Sequence, residues 1–169
     1  MEESGGRDAS GSRRVPPPPQ FLGEFEHSID DKGRLAVPAR FRSALEDGLV
    51  MTRGVERCLV IYDPESWRAV SDRVRNLNPW QEDARRMQRH FFSGAQPAQP
   101  DKLGRVVIPQ FLRTYAQLDT EVVVVGVADR IEVWSRGEWE RQRSDAERDS
   151  AELAEHLAGG QPQGLRTEG

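Results

Sequence analysis

The sequence predicts an α+β protein built from two β-α-β-β units, each followed by helix. Two observations carry that prediction. The stretch Asp30-Asp31-Lys32-Gly33-Arg34-Leu35-Ala36-Val37-Pro38-Ala39-Arg40-Phe41-Arg42 returns as Asp101-Lys102-Leu103-Gly104-Arg105-Val106-Val107-Ile108-Pro109-Gln110-Phe111-Leu112-Arg113, 71 residues on. Further along, Gly54, Tyr62 and Trp67 match Gly126, Trp134 and Trp139 at an offset of 72, so one residue is inserted in a connection of the second copy. Two copies are too few for a solenoid and suit half-domains that complete one another.

Each element of a copy has a local cause. An apolar, alternating stretch at 25–29 reads as a strand and runs into Asp-x-x-Gly-Arg. Asp and Gly are turn residues: a carboxylate caps its own backbone onward, and glycine tolerates φ above zero. A short strand follows, 35–37 in copy one and 106–108 in copy two. Proline then stands where a helix begins, at a position that has no N–H to satisfy. The spacing predicts a helix over 38–47, with Phe41 and Leu45 on one face and Gly48 as its stop, and another over 109–118, with Leu112, Tyr115 and Ala116 inward. Hairpins follow, 49–52 with 58–62 and 121–125 with 130–134, each joined by a Gly-containing turn or its neighbourhood. Trp67, Val70, Val74 and Leu77 recur at helical spacing over 64–77, and Asn78-Pro79 breaks that helix before a second one at 81–92. A last helix is expected over 136–157, with Trp139, Leu153 and Leu157 as sparse anchors.

The two ends read differently. Residues 1–20 are rich in Gly, Ser and Arg and finish in Pro16 to Pro19, which predicts a disordered, proline-rich arm. Residues 158–169 are Gly-rich and polar and are expected to fray. The chain has 169 residues, 31% of them charged, a net charge of -4 and a mean hydropathy of -0.72. Its longest uncharged apolar run, 122–128, is far short of a membrane span. The N-terminus lacks a basic start followed by an apolar stretch, so no secretory signal is expected. A single cysteine, Cys58, excludes an intrachain disulfide, and the scattered His27, His90 and His156 offer no metal site.

Charge is unevenly placed. Residues 138–169 hold eight acids against four bases, so the rest of the chain sums to zero. Within that neutral part, 30–42 carries Lys32, Arg34, Arg40 and Arg42 against two acids. A pI near 5.5 argues against a strongly basic nucleic-acid binder but leaves room for one basic face. The repeated Arg34 and Arg105 place a guanidinium at the same turn twice, and its planar fork of donors suits phosphate or a guanine edge. Copy one is the more basic, because Lys32 aligns with Leu103 and Arg40 with Phe111. Asp30, Gly33, Asp101 and Gly104 are read as structural turn residues. Arg85, Arg86 and Arg89 form a second basic face, either a solvated helix, a subunit contact or a DNA flank. No phosphate-binding Gly loop, G-x-S-x-G or H-E-x-x-H is present, and nothing points to an enzyme.

The two motifs, with Phe21-Leu22-Gly23-Glu24 ahead of the first and the Glu132-Val133-Trp134 strand after the second, resemble the MraZ family of bacterial transcription regulators over about residues 21–143. The resemblance implies tandem SpoVT-AbrB-type swapped-hairpin units forming one small barrel. It implies a ring-shaped homo-oligomer in the cytoplasm, on the nucleoid, binding direct repeats in double-stranded DNA upstream of the division and cell-wall gene cluster, with no cofactor, no metal and no membrane. Family members usually begin near the residue matching Phe21, which makes 1–20 an extension or a mis-called start. The family's DNA contacts would fall here on Lys32, Arg34, Lys102 and Arg105, and the local basic pattern adds Arg40 and Arg42. The expected division is a disordered arm at 1–20, repeat one at 24–67, connecting helices at 68–94, repeat two at 95–139, and an acidic helix and tail at 140–169. The acidic helix is expected to point away from the DNA. The competing reading is an AbrB-like antitoxin or an oligomeric interaction protein that binds a protein partner.

Overall fold

A computed structural model describes residues 20–159. The expected arm, apart from Gln20, and the expected frayed tail, apart from Ala158 and Gly159, lie outside the described residues. Copy one contributes β1 (Phe21–Ser28), β2 (Arg34–Ala36), two 3-10 turns (Ala39–Phe41 and Ser43–Leu45), β3 (Leu49–Arg53), β4 (Leu59–Tyr62), α1 (Pro64–Arg75) and α2 (Glu82–Ser93). Copy two contributes β5 (Gln96–Ala98), β6 (Arg105–Val107), α3 (Gln110–Tyr115), β7 (Glu121–Ala128), β8 (Ile131–Ser135) and α4 (Arg136–Gly159).

The strands form a six-stranded antiparallel sheet in the order β1-β7-β8-β4-β3-β5 and a separate two-stranded ribbon, β2-β6. Exchanging each strand for its mate in the other copy reverses the sheet order and leaves it unchanged. The leading strand of each copy therefore pairs with the hairpin of the other, β1 with β7 and β5 with β3. An approximate two-fold axis passes through two cross-copy pairs, Leu35 opposite Val106 in the ribbon and Val60 opposite Glu132 in the sheet. Neither copy completes the sheet without the other. Among the described residues the sheet ends at β1 and β5, and no hydrogen bonds close it into a barrel.

Both faces of the sheet are buried, which explains the unbroken valine run of β7. Val122 and Val124 face a core shared with Leu59, Ile61, Ile131 and Val133, roofed by the ribbon residues Leu35 and Val106 and by Phe41, Leu45 and Leu112. Val123 and Val125 face the opposite way, onto Val60, Tyr62 and Trp134, and are covered by Trp67 and Val70 of α1, Phe91 of α2 and Trp139 of α4. The result is three layers: ribbon with short helices, sheet, and long helices.

Two local features differ from the sequence expectation. The helix expected at 38–47 is two 3-10 turns, held by i→i+3 bonds such as Phe41 N to Pro38 O (2.9 Å) and Leu45 N to Arg42 O (3.1 Å). The span from Pro38 to Gly54 is one residue shorter than that from Pro109 to Gly126, and the tighter winding still buries both Phe41 and Leu45. With the extra residue, copy two completes α3. Strand β5 has no apolar alternation to announce it; its Pro97 is tolerated because β5 is an edge strand.

Gly54 and Gly126, matched in the repeat, serve close approach. A Cβ on Gly54 would stand 2.4 Å from Cys58 Sγ, and one on Gly126 would stand 2.4 Å from the backbone N of Leu22. Gly126 lies opposite Gly23 in the β1-β7 ladder. Gly126→Val is therefore expected to push β1 off the sheet and to lower stability by about 1–3 kcal/mol. Chemical denaturation measures the loss, and faster amide exchange across 21–28 locates it.

Candidate nucleic-acid interface

The two Asp-x-x-Gly-Arg turns fold by the same bonds. Asp30 Oδ1 accepts from the backbone N–H of Lys32 (3.0 Å) and Arg34 (2.9 Å), and Gly33 N donates to Asp30 O (3.0 Å). Asp101 Oδ1 accepts from Leu103 N and Arg105 N, both at 2.9 Å, and Gly104 N donates to Asp101 O (2.9 Å). Gly33 and Gly104 take φ of +76° and +73°, a conformation that disfavours a side chain. The other carboxylate oxygen holds the arginine: Arg34 Nε donates to Asp30 Oδ2 at 2.6 Å and Arg105 Nε to Asp101 Oδ2 at 2.8 Å. Each guanidinium is thus oriented through Nε, with its two terminal nitrogens unengaged among the described residues.

The ribbon brings the two turns together. Leu35 and Val106 point into the core, so Arg34, Ala36, Arg105 and Val107 point outward. Arg34 lies opposite Val107 and Arg105 opposite Ala36, which makes the two arginines diagonal neighbours, roughly 7–8 Å apart at Cα. Their side chains are 28% and 30% exposed. Val37 N donates to Gly104 O (2.9 Å) and Ile108 N to Gly33 O (2.8 Å), locking each turn to the other copy.

Arg42 and its mate Arg113 have a further task. Arg42 Nε donates to Val37 O and Arg113 Nε to Ile108 O, each at 3.0 Å. Arg42 lies across Gly104, where an added Cβ would sit 2.5 Å from its Nε, and Arg113 lies across Gly33. Both buttress the opposite turn. Arg113 was not singled out from the sequence, although the repeat aligns it with Arg42.

Lys32 and Lys102 are exposed on the turns, and their ammonium groups make no hydrogen bond among the described residues. Arg40 is exposed, with its guanidinium 5.6 Å from the centre of the Phe25 ring. Its mate Phe111 instead lies under Arg53, at 5.7 Å. Residues 30–42 and 101–113 together carry seven bases against three acids. Two of those acids, Asp30 and Asp101, are the ones tied to arginines. The basic excess therefore collects on the ribbon side.

The acidic helix is elsewhere. Trp139 of α4 packs on Trp134, in the cluster on the other face of the sheet. Arg136 pairs with Glu26 and Glu121, and Arg143 with Glu24. No ion pair joins α4 to the ribbon among the described residues. Phe91 likewise buries α2 on that far face, while His90 Nε2 lies 3.1 Å from Gly54 O, beside the Tyr115 hydroxyl, which donates to the same carbonyl at 2.7 Å. Burial pushes the Cys58 thiol well above its ordinary range and the Tyr62 phenol up to about 12, so neither is poised to react. Among the described residues, no three His, Cys, Asp or Glu side chains cluster as metal ligands, and no helix is long and apolar enough to cross a membrane.

Donation from the Arg34 backbone N–H, opposed by slight burial and helped by its guanidinium, holds the Asp30 carboxyl below its ordinary 3.8; Arg105 does the same for Asp101. A lowered carboxyl pKa contributes stability that is complete above the unfolded value and fades as pH falls through the folded one. The Asp30→Asn, Asp101→Asn double variant should therefore denature earlier than the parent at pH 7. The gap in midpoint should close below the ordinary carboxylate range, as followed by denaturation across pH.

A family profile described as "MraZ protein, putative antitoxin-like" matches residues 20–90 and again 91–159, the two halves related by the two-fold axis. The chain belongs to the MraZ family. A protein of Desulforamulus reducens named Transcriptional regulator MraZ is 47% identical over 137 residues, covering 81% of this chain and 96% of that protein. Proteins of the same name from Moorella thermoacetica (48% over 128 residues, 74% of this chain and 90% of theirs) and Natranaerobius thermophilus (42% over 137 residues, 81% and 96%) are similar in the same way. The MraZ profile changes copies in the last turn of α2, shortly before β5, so each family repeat carries a β-α-β-β unit with most of the helix that follows it.

Proposed function

We propose that this MraZ protein is a sequence-specific, double-stranded-DNA-binding transcription regulator whose contact surface is the β2-β6 ribbon. The carrying observation is the pair of dyad-related arginines on the ribbon's outward face, each held through Nε by its own aspartate. A guanidinium held this way offers its two terminal nitrogens end-on, a geometry suited to a phosphate or to O6 and N7 of guanine. Lys32, Lys102 and Arg40 flank the pair as phosphate contacts, and Arg42 contributes charge while it props the opposite turn. Asp30, Gly33, Asp101 and Gly104 shape the turns. The regulator names of relatives at 42–48% identity support the same reading.

In this reading residues 24–67 and 95–139 are two swapped-hairpin repeats that share one barrel-like core, with 68–94 and 140–169 as helical additions. The protein acts as a ring of copies in the cytoplasm, on the nucleoid, bound to direct repeats upstream of the division and cell-wall gene cluster. Linking several modest contacts in one assembly raises the overall affinity without any new contact. The antitoxin-like reading is favoured by the wording of the family profile and by the acidic α4, which could hold a basic protein. Protection mapping on the protein's own upstream region separates the two. Regularly spaced protected repeats that Arg34→Ala weakens support the DNA reading, and a fragment left unprotected at low salt overturns it.

A further inference from the structure

We infer that Val107 packs against the 5-methyl group of a thymine in the major groove, one base-pair step from the base edge that Arg34 meets, and so gives the ribbon a direction on its site. This rests on the DNA-binding reading above and names a base that the same surface selects.

The ribbon turns four side chains outward: Arg34, Ala36, Arg105 and Val107. A two-stranded ribbon fits the major groove, where its outward residues reach base edges. The two arginines are held back by Asp30 and Asp101. Val107 is 57% exposed, the most prominent apolar side chain of the two strands. A sheet face turned to water ordinarily carries polar residues in such places. Among the base edges of the major groove only thymine presents a methyl group, and an apolar side chain is its matching contact.

The surroundings point to nucleic acid as the occupant. Val107 stands directly opposite Arg34 in the ribbon. Lys32 lies on the turn just before that arginine, exposed. A partner that meets all three side chains must be anionic and must still offer a small apolar group. Facing residues stand about 5 Å apart at Cβ, against a rise of about 3.4 Å per base pair, so Arg34 and Val107 reach neighbouring pairs.

The dyad is broken at this point. The mate of the Arg34–Val107 pair is Arg105 opposite Ala36, which ends at Cβ and is half-buried. Leu103 in place of Lys32 at the turn tip adds to the difference. The arginines are equivalent but the residues beside them are not. The ribbon therefore has a thymine-reading end, and a row of sites read this way runs in one direction.

Fluorescence anisotropy of the full chain at low salt tests this, on a duplex of one protected repeat made with thymine or with uracil throughout. Uracil keeps the pairing and lacks only the methyl group. The parent should bind the uracil form about three- to fivefold more weakly, the effect of one buried methyl. Val107→Ala, which copies Ala36, should bind the thymine form as weakly as the parent binds the uracil form, and should not distinguish the two. Val107→Ile should keep the preference, and thermal denaturation checks that each variant is folded. Single thymine-to-uracil replacements should place the positions relieved by Val107→Ala in one half of the repeat. Equal affinity of the parent for both duplexes, or a preference undiminished in Val107→Ala, overturns the contact and spares the DNA-binding reading. Relieved positions mirrored about the centre of the repeat overturn the direction. No binding of either duplex overturns both readings.

Discussion

Replacing Arg34 and Arg105 together with alanine is expected to lower DNA affinity by roughly two to four orders of magnitude while leaving the chain folded. Each substitution removes a charge-assisted contact of about 1.5–3 kcal/mol, and the two sites face the same ligand. The loss should be larger for Arg34→Ala alone than for Arg105→Ala alone. Lys32 and Arg40 surround the first arginine, whereas Leu103 and Phe111 hold the matching places around the second. Fluorescence anisotropy over a salt series adds a second signature, since each phosphate contact removed should flatten the salt slope by about one. The fold should survive because Asp30 and Asp101, 34% and 38% exposed, remain solvated when their partners go. Unchanged affinity in the double variant contradicts the assignment.

Leu35→Ala is expected to be the most damaging single change to stability, at about 2–5 kcal/mol. Leu35 is 1% exposed, lies on the two-fold axis opposite Val106, and is the side chain through which β2 is anchored in the core. Its truncation leaves a cavity beneath the ribbon that the six-stranded sheet on one side and the cross-copy bonds on the other cannot easily fill. Urea denaturation reads the stability. A DNA affinity that falls further than the unfolded fraction explains would show that the same residue positions the arginines. A loss under 1 kcal/mol contradicts the core placement.

Much of this was legible before the fold. Asp30, Gly33 and Arg34 with Asp101, Gly104 and Arg105 predict two equivalent turns because turn chemistry is local, and the structure has both. The alternation at 25–29 and the helical spacing of Trp67, Val70 and Val74 likewise read directly as β1 and α1. The exchange of leading strands between copies was not legible. A repeat shows that two units exist, but β1 meets β7 across about a hundred residues, and no local pattern records that pairing. The same gap hid the task of Arg42 and Arg113, whose partners are glycines of the opposite copy. Two glycines at offset 72 signalled a repeat without revealing that Leu22 backbone and Cys58 sulfur crowd them. Strand β5 escaped because its pairing with β3, rather than its own composition, makes it a strand.

The central claim is that the outward face of the β2-β6 ribbon meets the DNA. Amide hydrogen exchange of the full chain, with and without a fragment of its upstream region, tests it most directly. The account predicts slowed exchange over 30–42 and 101–113 on DNA addition, with 144–159 unchanged by DNA. Protection gathered on α2 or α4, with both turns exchanging as fast as in the free protein, would contradict it.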